Sequence, residues 1–188
     1  MRLIFVGMIC ILGLTLCVVD SAFAQSGYRQ LTANDFRGVP QVTGDNTVAH
    51  TKCTIDFKYN LAGVQDGAYV LNFDVRLLLR PDKSWIDFRR VNSQAMLRRV
   101  LNHEQGHYNI SCLEQQEILR ECNRMRFSEN YRYEASTLFN RIHNKYAVLN
   151  ENYDEDTRHM LDDKQQHSWD VYFQRRLMYE PPVAKAGY

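Results

Sequence analysis

The chain has 188 residues, of which 45% are hydrophobic, so it is long enough for one ordinary domain with a buried core. Its 23 basic and 22 acidic side chains give a formal net charge of +1. Because no block of lysine and arginine stands out along the chain, the charge argues against a nucleic-acid-binding protein.

The N-terminus has the pattern of a secretory signal peptide. Arg2 precedes the apolar run LIFVGMICILGLTLCVV, and Ala22 and Ala24 follow it as an Ala-x-Ala pattern. An uncleaved membrane anchor is the alternative, but the run is shorter than the roughly 20 residues of a spanning helix. We therefore expect cleavage of residues 1–24 and a secreted or periplasmic protein, with no membrane span in the mature chain from Gln25 onward.

Strand-like patterns fill the first part of the mature chain. TVAHTKCTIDFKYN (47–60) and AYVLNFDVRLLL (68–79) alternate in part between apolar and polar residues. VQDG (64–67) has the composition of a turn between them, which predicts a hairpin. PDK (81–83) forms a second turn before the shorter segment SWIDF (84–88). The sequence therefore predicts a small antiparallel sheet.

Helical spacing replaces this alternation in the second part of the chain. The first predicted helix begins at an N-cap of Asn92 or Ser93. A second helix is predicted near 130–150 and a third near 162–178, and the polar stretch ENYDEDTRH (151–159) between them is interpreted as a loop. A sheet followed by three helices is an α+β arrangement.

Three cysteines remain after removal of the signal peptide: Cys53, Cys112 and Cys122. Cys112 and Cys122 are predicted on one helix, about 15 Å of rise apart, so they should not bond to each other. A disulfide from Cys53 to either of them is compatible with export. Three buried thiols that behave as small hydrophobic residues are the alternative.

The first predicted helix contains NHEQGH (102–107), in which a glutamate directly follows the first of two histidines. Positions i and i+4 share one helix face, so His103 and His107 can both bind one metal ion. Glu104 is rotated by about 100° from His103, which places it to reach a water bound to that metal. Zinc lowers the pKa of such a water from about 15.7 toward 7, and the carboxylate takes its proton during attack on a carbonyl. A chance match is expected roughly once in a hundred sequences of this composition, so the motif predicts a zinc site.

A third ligand has to come from another part of the chain. The long metzincin pattern is excluded because Ile110 and Leu113 occupy the positions of its glycine and its third histidine. By chemistry alone, Glu134 and His159 are the leading candidates, since both His₂Glu and His₃ zinc sites exist. The remaining candidates are His143, Asp154, Glu155, Asp156, Asp163 and His167.

Four blocks of the mature chain resemble a known family. They are LTANDFRG (31–38), KSWI (83–86), LNHEQGHYNI (101–110) and YDEDTRHMLDDKQQHSWD (153–170). In this order they are similar to bacterial secreted proteins predicted to be zinc-dependent proteases, domain-of-unknown-function family 922. The resemblance implies His103 and His107 as ligands, Glu104 as catalytic base and His159 as third ligand. Met160 departs from the family, which often has glycine there.

Four further residues near these blocks are candidates for supporting roles. Asp154 or Thr157 would orient His159, because a metal-bound histidine normally donates its other ring N–H to an oxygen. Tyr108 and Tyr153 are candidate hydrogen-bond donors to the oxyanion formed during attack. The alternative for both tyrosines is an aromatic ring packed at the edge of the core.

These observations together predict an exported zinc-dependent hydrolase, most simply a metallopeptidase that acts on a peptide or protein. The predicted fold is a single zincin-like α+β domain over residues 25–180, with H-E-x-x-H on the first long helix and a flexible tail at 181–188. The alternatives are a non-catalytic envelope protein with a structural or ligand-binding zinc site, and a zinc hydrolase of non-peptide amides or cell-wall links. Four protein ligands without a pocket would favour the non-catalytic protein, and three ligands with an open position would favour an enzyme.

Overall fold

The order of the elements follows the predicted α+β layout. The computed structural model describes residues 29–41 and 47–177, so the predicted signal peptide (1–24) and the predicted tail (181–188) lie outside the described residues. The described elements are a short 3₁₀ helix (Ala33–Asp35), strands β1 (Ala49–His50), β2 (Cys53–Gln65), β3 (Ala68–Leu79) and β4 (Trp85–Ile86), and helices α1 (Gln94–Arg124), α2 (Tyr131–Thr157) and α3 (Asp163–Leu177). None of the helices in these ranges combines the length and hydropathy needed to cross a bilayer.

The predicted hairpin is present and consists of β2 and β3. The strands pair antiparallel from Cys53 opposite Leu79 to Gln65 opposite Ala68. The two residues between them, Asp66 and Gly67, have φ values of 50° and 74°. A tight hairpin turn with positive φ at both central positions favours Asp-Gly, so the local sequence determines this turn.

The remaining strand segments form a ladder of their own, and the predicted sheet is thus divided into two pairs. β1 pairs antiparallel with β4, with Ala49 opposite Ile86 and His50 opposite Trp85. This ladder packs against the N-terminal half of α1 through a core of buried apolar residues that includes Val91. It is therefore the element that lies over the NHEQGH motif.

The three helices pack together against the hairpin. Helix α1 begins after Ser93, whose hydroxyl accepts a hydrogen bond from the Met96 N–H at 3.2 Å. Ile118 of α1 and Ile142 of α2 are almost completely buried in the shared core. The core thus fixes α2 beside the middle of α1.

Helix α2 is longer than predicted. The stretch 151–159 was predicted as a loop, but it is helical as far as Thr157, so that prediction was wrong. Its Asn, Asp and Thr residues have low helix propensity, whereas the fully buried Tyr153 and Thr157 continue the apolar face of Tyr146. Packing therefore overrides propensity, and the connection to α3 shrinks to 158–162.

The three described cysteines are thiols in the structure. Cys112 and Cys122 are buried and Cys53 is half-buried. Burial raises the pKa of the Cys53 thiol to about 11 and that of the Cys112 and Cys122 thiols to about 12. At neutral pH they therefore behave as small hydrophobic groups.

Candidate metal centre

The histidines of the motif meet a carboxylate from α2. The Nε2 atoms of His103 and His107 lie 3.2 Å apart. The Asp154 Oδ1 atom lies 3.1 Å from the first and 3.2 Å from the second. All three donor atoms lie within 4.8 Å of one another, so the three side chains could hold a metal ion.

The spacing of these donors fits tetrahedral coordination. With bonds of about 2.0–2.1 Å, neighbouring ligand atoms around a zinc ion lie roughly 3.3 Å apart. The three distances between the donors of His103, His107 and Asp154 are 3.1 to 3.2 Å. Two imidazole nitrogens and one carboxylate oxygen are also a donor set that suits a divalent transition metal.

The second nitrogen of each imidazole faces an oxygen. His107 Nδ1 lies 2.8 Å from Asn150 Oδ1. His103 Nδ1 lies 3.3 Å from Gln166 Oε1 and 3.4 Å from Thr157 Oγ1. If each Nδ1 donates its proton to an oxygen, each Nε2 remains available to a metal, which is the usual arrangement of metal-bound histidine.

Two of these supporting residues were missed in the sequence analysis. Asn150 precedes Asp154 by four residues on α2, and this spacing has meaning only if the stretch is helical. Gln166 belongs to the last block of the family resemblance, and its position in that block was the one indication of a role in the site. Thr157, predicted in a supporting role beside His159, lies instead beside His103.

Tyr153 connects α2 to the backbone of the motif helix. Its hydroxyl donates a hydrogen bond to the His103 carbonyl oxygen at 2.9 Å, and its ring stacks on the His103 imidazole with 4.8 Å between centroids. A Cβ atom on Gly106 would overlap with the end of the Tyr153 ring. The glycine of the motif therefore lets Tyr153 lie directly on α1. The hydroxyl is engaged with the helix backbone and Gln166.

Glu104 is buried beside the donors and has an unsatisfied oxygen. Its side chain lines the same cavity as His103 and His107, and the residue is 3% exposed. Among the described residues, nothing forms a hydrogen bond with its Oε2 atom. Buried carboxylate oxygens are normally paired, so this atom indicates a site that a bound group completes.

The charges of the donors are strongly coupled. Burial disfavours the ionised form of Asp154, but hydrogen bonds from His103 and His107 hold its pKa well below the ordinary value. Burial also disfavours the charged form of His107, but the bond to Asp154 and the charge of Glu104 raise its pKa to about 9. Without a metal, the imidazole of His107 therefore holds a proton at neutral pH.

The donors and Glu104 lie in a cavity of about 620 Å³. Ligand cavities in proteins commonly measure roughly 300–1,000 Å³. Its wall includes His50 and Trp85 of the β1–β4 ladder and Arg158 after α2. His50 was also missed in the sequence analysis, because no motif marks it; burial lowers its pKa, so it is neutral at pH 7.

The other predicted ligands occupy different places. His159 lies on the cavity wall with its Nδ1 atom 3.3 Å from Asp154 Oδ1 and its side chain 49% exposed. It lies outside the group of three donors. Glu134 lies near the start of α2, where its carboxylate accepts a hydrogen bond from the Ser128 N–H. Tyr108 packs in the core behind α1, away from the cavity wall.

The family of the chain follows from comparison with known proteins. No curated protein and no solved structure matches the chain. The model of a bacterial protein of unknown function, DUF922, matches residues 22–160, a span that includes all three donors and Glu104. The chain therefore belongs to the DUF922 family.

Proposed function

We propose that the protein is a zinc-dependent hydrolase, most simply a peptidase, with His103, His107 and Asp154 as ligands and Glu104 as general base. The observation that carries this proposal is the buried, unsatisfied oxygen of Glu104 on the wall of the cavity that holds the three donors. Three protein ligands leave a fourth position for water or substrate, as in catalytic zinc sites. Export stays a prediction from residues 1–24.

The side chains of this site have separate roles in the proposed hydrolysis. Bound zinc would supply the Lewis acidity that polarises a carbonyl and acidifies water. Glu104 accepts the proton of the attacking water and returns it to the leaving amine. Because the residue is 3% exposed, its free oxygen meets only what enters the cavity. Asn150 and Gln166 hold the two imidazoles so that the Nε2 atoms face inward.

The role of Glu104 is tested by Glu104→Gln in the mature chain. We expect one zinc ion per chain in both proteins, because glutamine leaves all three donors in place. Hydrolysis of a peptide library should be lost in the variant and should be abolished by a chelator in the wild type. Glu114→Gln is the matched control, since Glu114 is a buried glutamate further along α1 that bonds to His143. Loss of zinc from Glu104→Gln, or unchanged turnover, would contradict the assignment.

The third ligand is tested by comparing Asp154→Ala with His159→Ala. The Asp154 carboxylate lies within 3.2 Å of both motif histidines, so its removal should cost more than the 10–100-fold in zinc affinity typical of an outer-shell partner. His159 contacts the carboxylate of Asp154 and not the two histidines, so its removal should cost no more than the roughly 10–100-fold of an outer-shell partner. The reverse result would establish His159 as the third ligand, as the family resemblance implies, and would remove Asp154 from that role.

A non-catalytic metal site is the second candidate, and the position of His159 is the observation that favours it. If His159 binds the ion together with the three donors, four protein ligands close the coordination shell, as in structural zinc sites. Cobalt substitution distinguishes the two candidates. An absorption spectrum that shifts when an inhibitor of zinc hydrolases, such as a hydroxamate, is added indicates an open position, whereas an unchanged spectrum together with no peptide turnover supports the closed site.

A further inference from the structure

A second hollow adjoins the cavity of the metal centre. This outer hollow has a volume of about 480 Å³ and is lined in part by Lys52 and Lys83. Gln41, His50 and Trp85 line both the outer hollow and the metal-centre cavity. The two are therefore adjacent, and we call the surface that they form along the β1–β4 ladder, where His50 lies opposite Trp85, the cleft.

The outer hollow is positively charged. Lys52 and Lys83 are exposed, and within the described part of the chain neither ammonium group forms an ion pair. The acidic side chain on the described wall is Asp82, which already lies 3.6 Å from the Arg80 guanidinium. Two lysine charges are thus left to attract a ligand.

The metal-centre cavity does not cancel this charge. A divalent ion there would balance the negative charges of Asp154 and Glu104, and Arg158 on the same wall adds a further positive charge. The whole chain, in contrast, has a formal net charge of only +1. The positive cleft is therefore a local feature, and local fields of one sign in a cleft select ligands of opposite sign.

We propose that the cleft selects peptides with acidic side chains near the bond to be cut, and that Lys52 and Lys83 attract those side chains. The inference rests on the proposed function, because it takes the substrate to be a peptide that reaches the metal centre. Peptides that carry lysine or arginine at the same positions are repelled by the same two ammonium groups.

The test measures peptide binding to the zinc-loaded Glu104→Gln variant, which by the proposed function does not cleave its ligand. Three pools of fluorescein-labelled decapeptides are compared by fluorescence anisotropy: Ala/Ser/Gly sequences with two glutamates, with none, or with two lysines. We expect the glutamate pool to bind about fivefold or more tightly than the neutral pool at low salt, and this preference to shrink at high salt.

Charge reversal then locates the attraction. Adding Lys52→Glu and Lys83→Glu should abolish the preference for the glutamate pool and make the lysine pool the tighter ligand. The matched control is Lys58→Glu with Lys164→Glu, which changes the net charge equally at exposed residues outside the cleft and should keep the preference. Lys52→Ala with Lys83→Ala, a milder pair, should remove the preference without reversing it.

Three results would overturn the inference. The first is equal binding of the three peptide pools, and the second is loss of the preference for the glutamate pool in the control pair as well. The third is lysine-dependent binding of inorganic polyphosphate that is as tight as that of the glutamate pool. Turnover by the wild type separates this inference from the proposed function. Lysine-dependent binding of acidic peptides without any turnover keeps the preference for acidic peptides and removes the peptidase. Turnover of neutral and acidic pools with equal kcat/KM keeps the peptidase and removes the preference for acidic peptides.

Discussion

At the scale of single residues, the contact between Gly106 and Tyr153 joins the two helices that supply the donors. Glycine costs about 1 kcal/mol relative to alanine inside a helix. Here it leaves room for the Tyr153 ring, which is fully buried and stacks on His103. The same helix α2 carries Asp154, so the close approach of Tyr153 helps to bring the carboxylate to the histidines.

We expect Gly106→Ala to destabilise the protein although alanine is the better helix former. The added methyl group overlaps with Tyr153, and overpacking of this kind typically costs about 1–3 kcal/mol. The melting temperature and the zinc affinity should both decrease, because the Tyr153 hydroxyl is bonded to the His103 carbonyl oxygen and a shift of Tyr153 displaces His103.

Gly63→Ala is the matched control for this prediction. A Cβ atom on Gly63 would have nothing within 4 Å, so its melting temperature should change little. Equal stability and zinc affinity for the wild type and Gly106→Ala would show that Tyr153 can move aside without cost.

At the scale of elements, the sequence predicts those parts of the fold that local patterns determine. The hairpin turn at Asp66 and Gly67 and the N-cap at Ser93 are local features, and both are present. The length of α2 is different, because the burial of Tyr153 and Thr157 against α1 and α3 decides it. This contact links residues far apart in the chain, so no local pattern reveals it.

The difference between local patterns and distant contacts also explains which residues of the site could be predicted. His103 and His107 form a local pair on one helix, and the spacing alone brings them together. Asp154 was a candidate among several, and Asn150 was not considered, because both depend on a helix that was interpreted as a loop. Once α2 is extended to Thr157, Asn150 and Asp154 are seen to be four residues apart on one helix face, with their side-chain oxygens beside the motif histidines.

The end of α2 yields a prediction about stability. Arg158, His159 and Met160 follow the helix with φ values of 48°, 49° and 74°. Residues with a Cβ atom adopt this left-handed conformation at a cost of about 1–2 kcal/mol, and glycine is the usual residue at the first position after a helix. We therefore expect Arg158→Gly to stabilise the protein by about 0.5–1 kcal/mol.

Arg141→Gly provides the contrast, because Arg141 is an exposed arginine in the interior of α2. There glycine should cost about 1 kcal/mol. Thermal unfolding of the two variants should shift the melting temperature in opposite directions. A decrease for Arg158→Gly as large as that for Arg141→Gly would mean that the left-handed cap carries no strain.

At the scale of the whole molecule, protonation of the metal centre is linked to the stability of the fold. His103 and Asp154 are separated by 51 positions in the chain, so the cluster exists only in the folded protein. Its proton affinities therefore differ between the folded and unfolded states, and stability must depend on pH.

For the metal-free protein, the pKa shifts of His107 and Asp154 have opposite effects on how stability changes with pH. The pKa of His107 rises from 6.5 to about 9 on folding, so its contribution is complete below pH 6.5 and is lost as the pH rises through about 9. The pKa of Asp154 falls below its ordinary value of 3.8, so its contribution is present above that value and is lost as the pH falls. Stability without metal should thus decrease between pH 6.5 and 9.

Zinc should reverse this trend, because the ion has to displace the proton that His107 holds. Zinc affinity should therefore increase with pH up to about 9, with proton release measurable by calorimetry in buffers of different ionisation enthalpy. Zinc-loaded protein should keep its melting temperature over the range in which the metal-free protein loses stability. Asp154→Asn removes the carboxylate that raises the pKa of His107, so the metal-free variant should show a flatter profile between pH 6.5 and 9. If the metal-free wild type instead gains stability over that interval, the histidine does not hold a proton there and the assigned coupling to Asp154 is wrong.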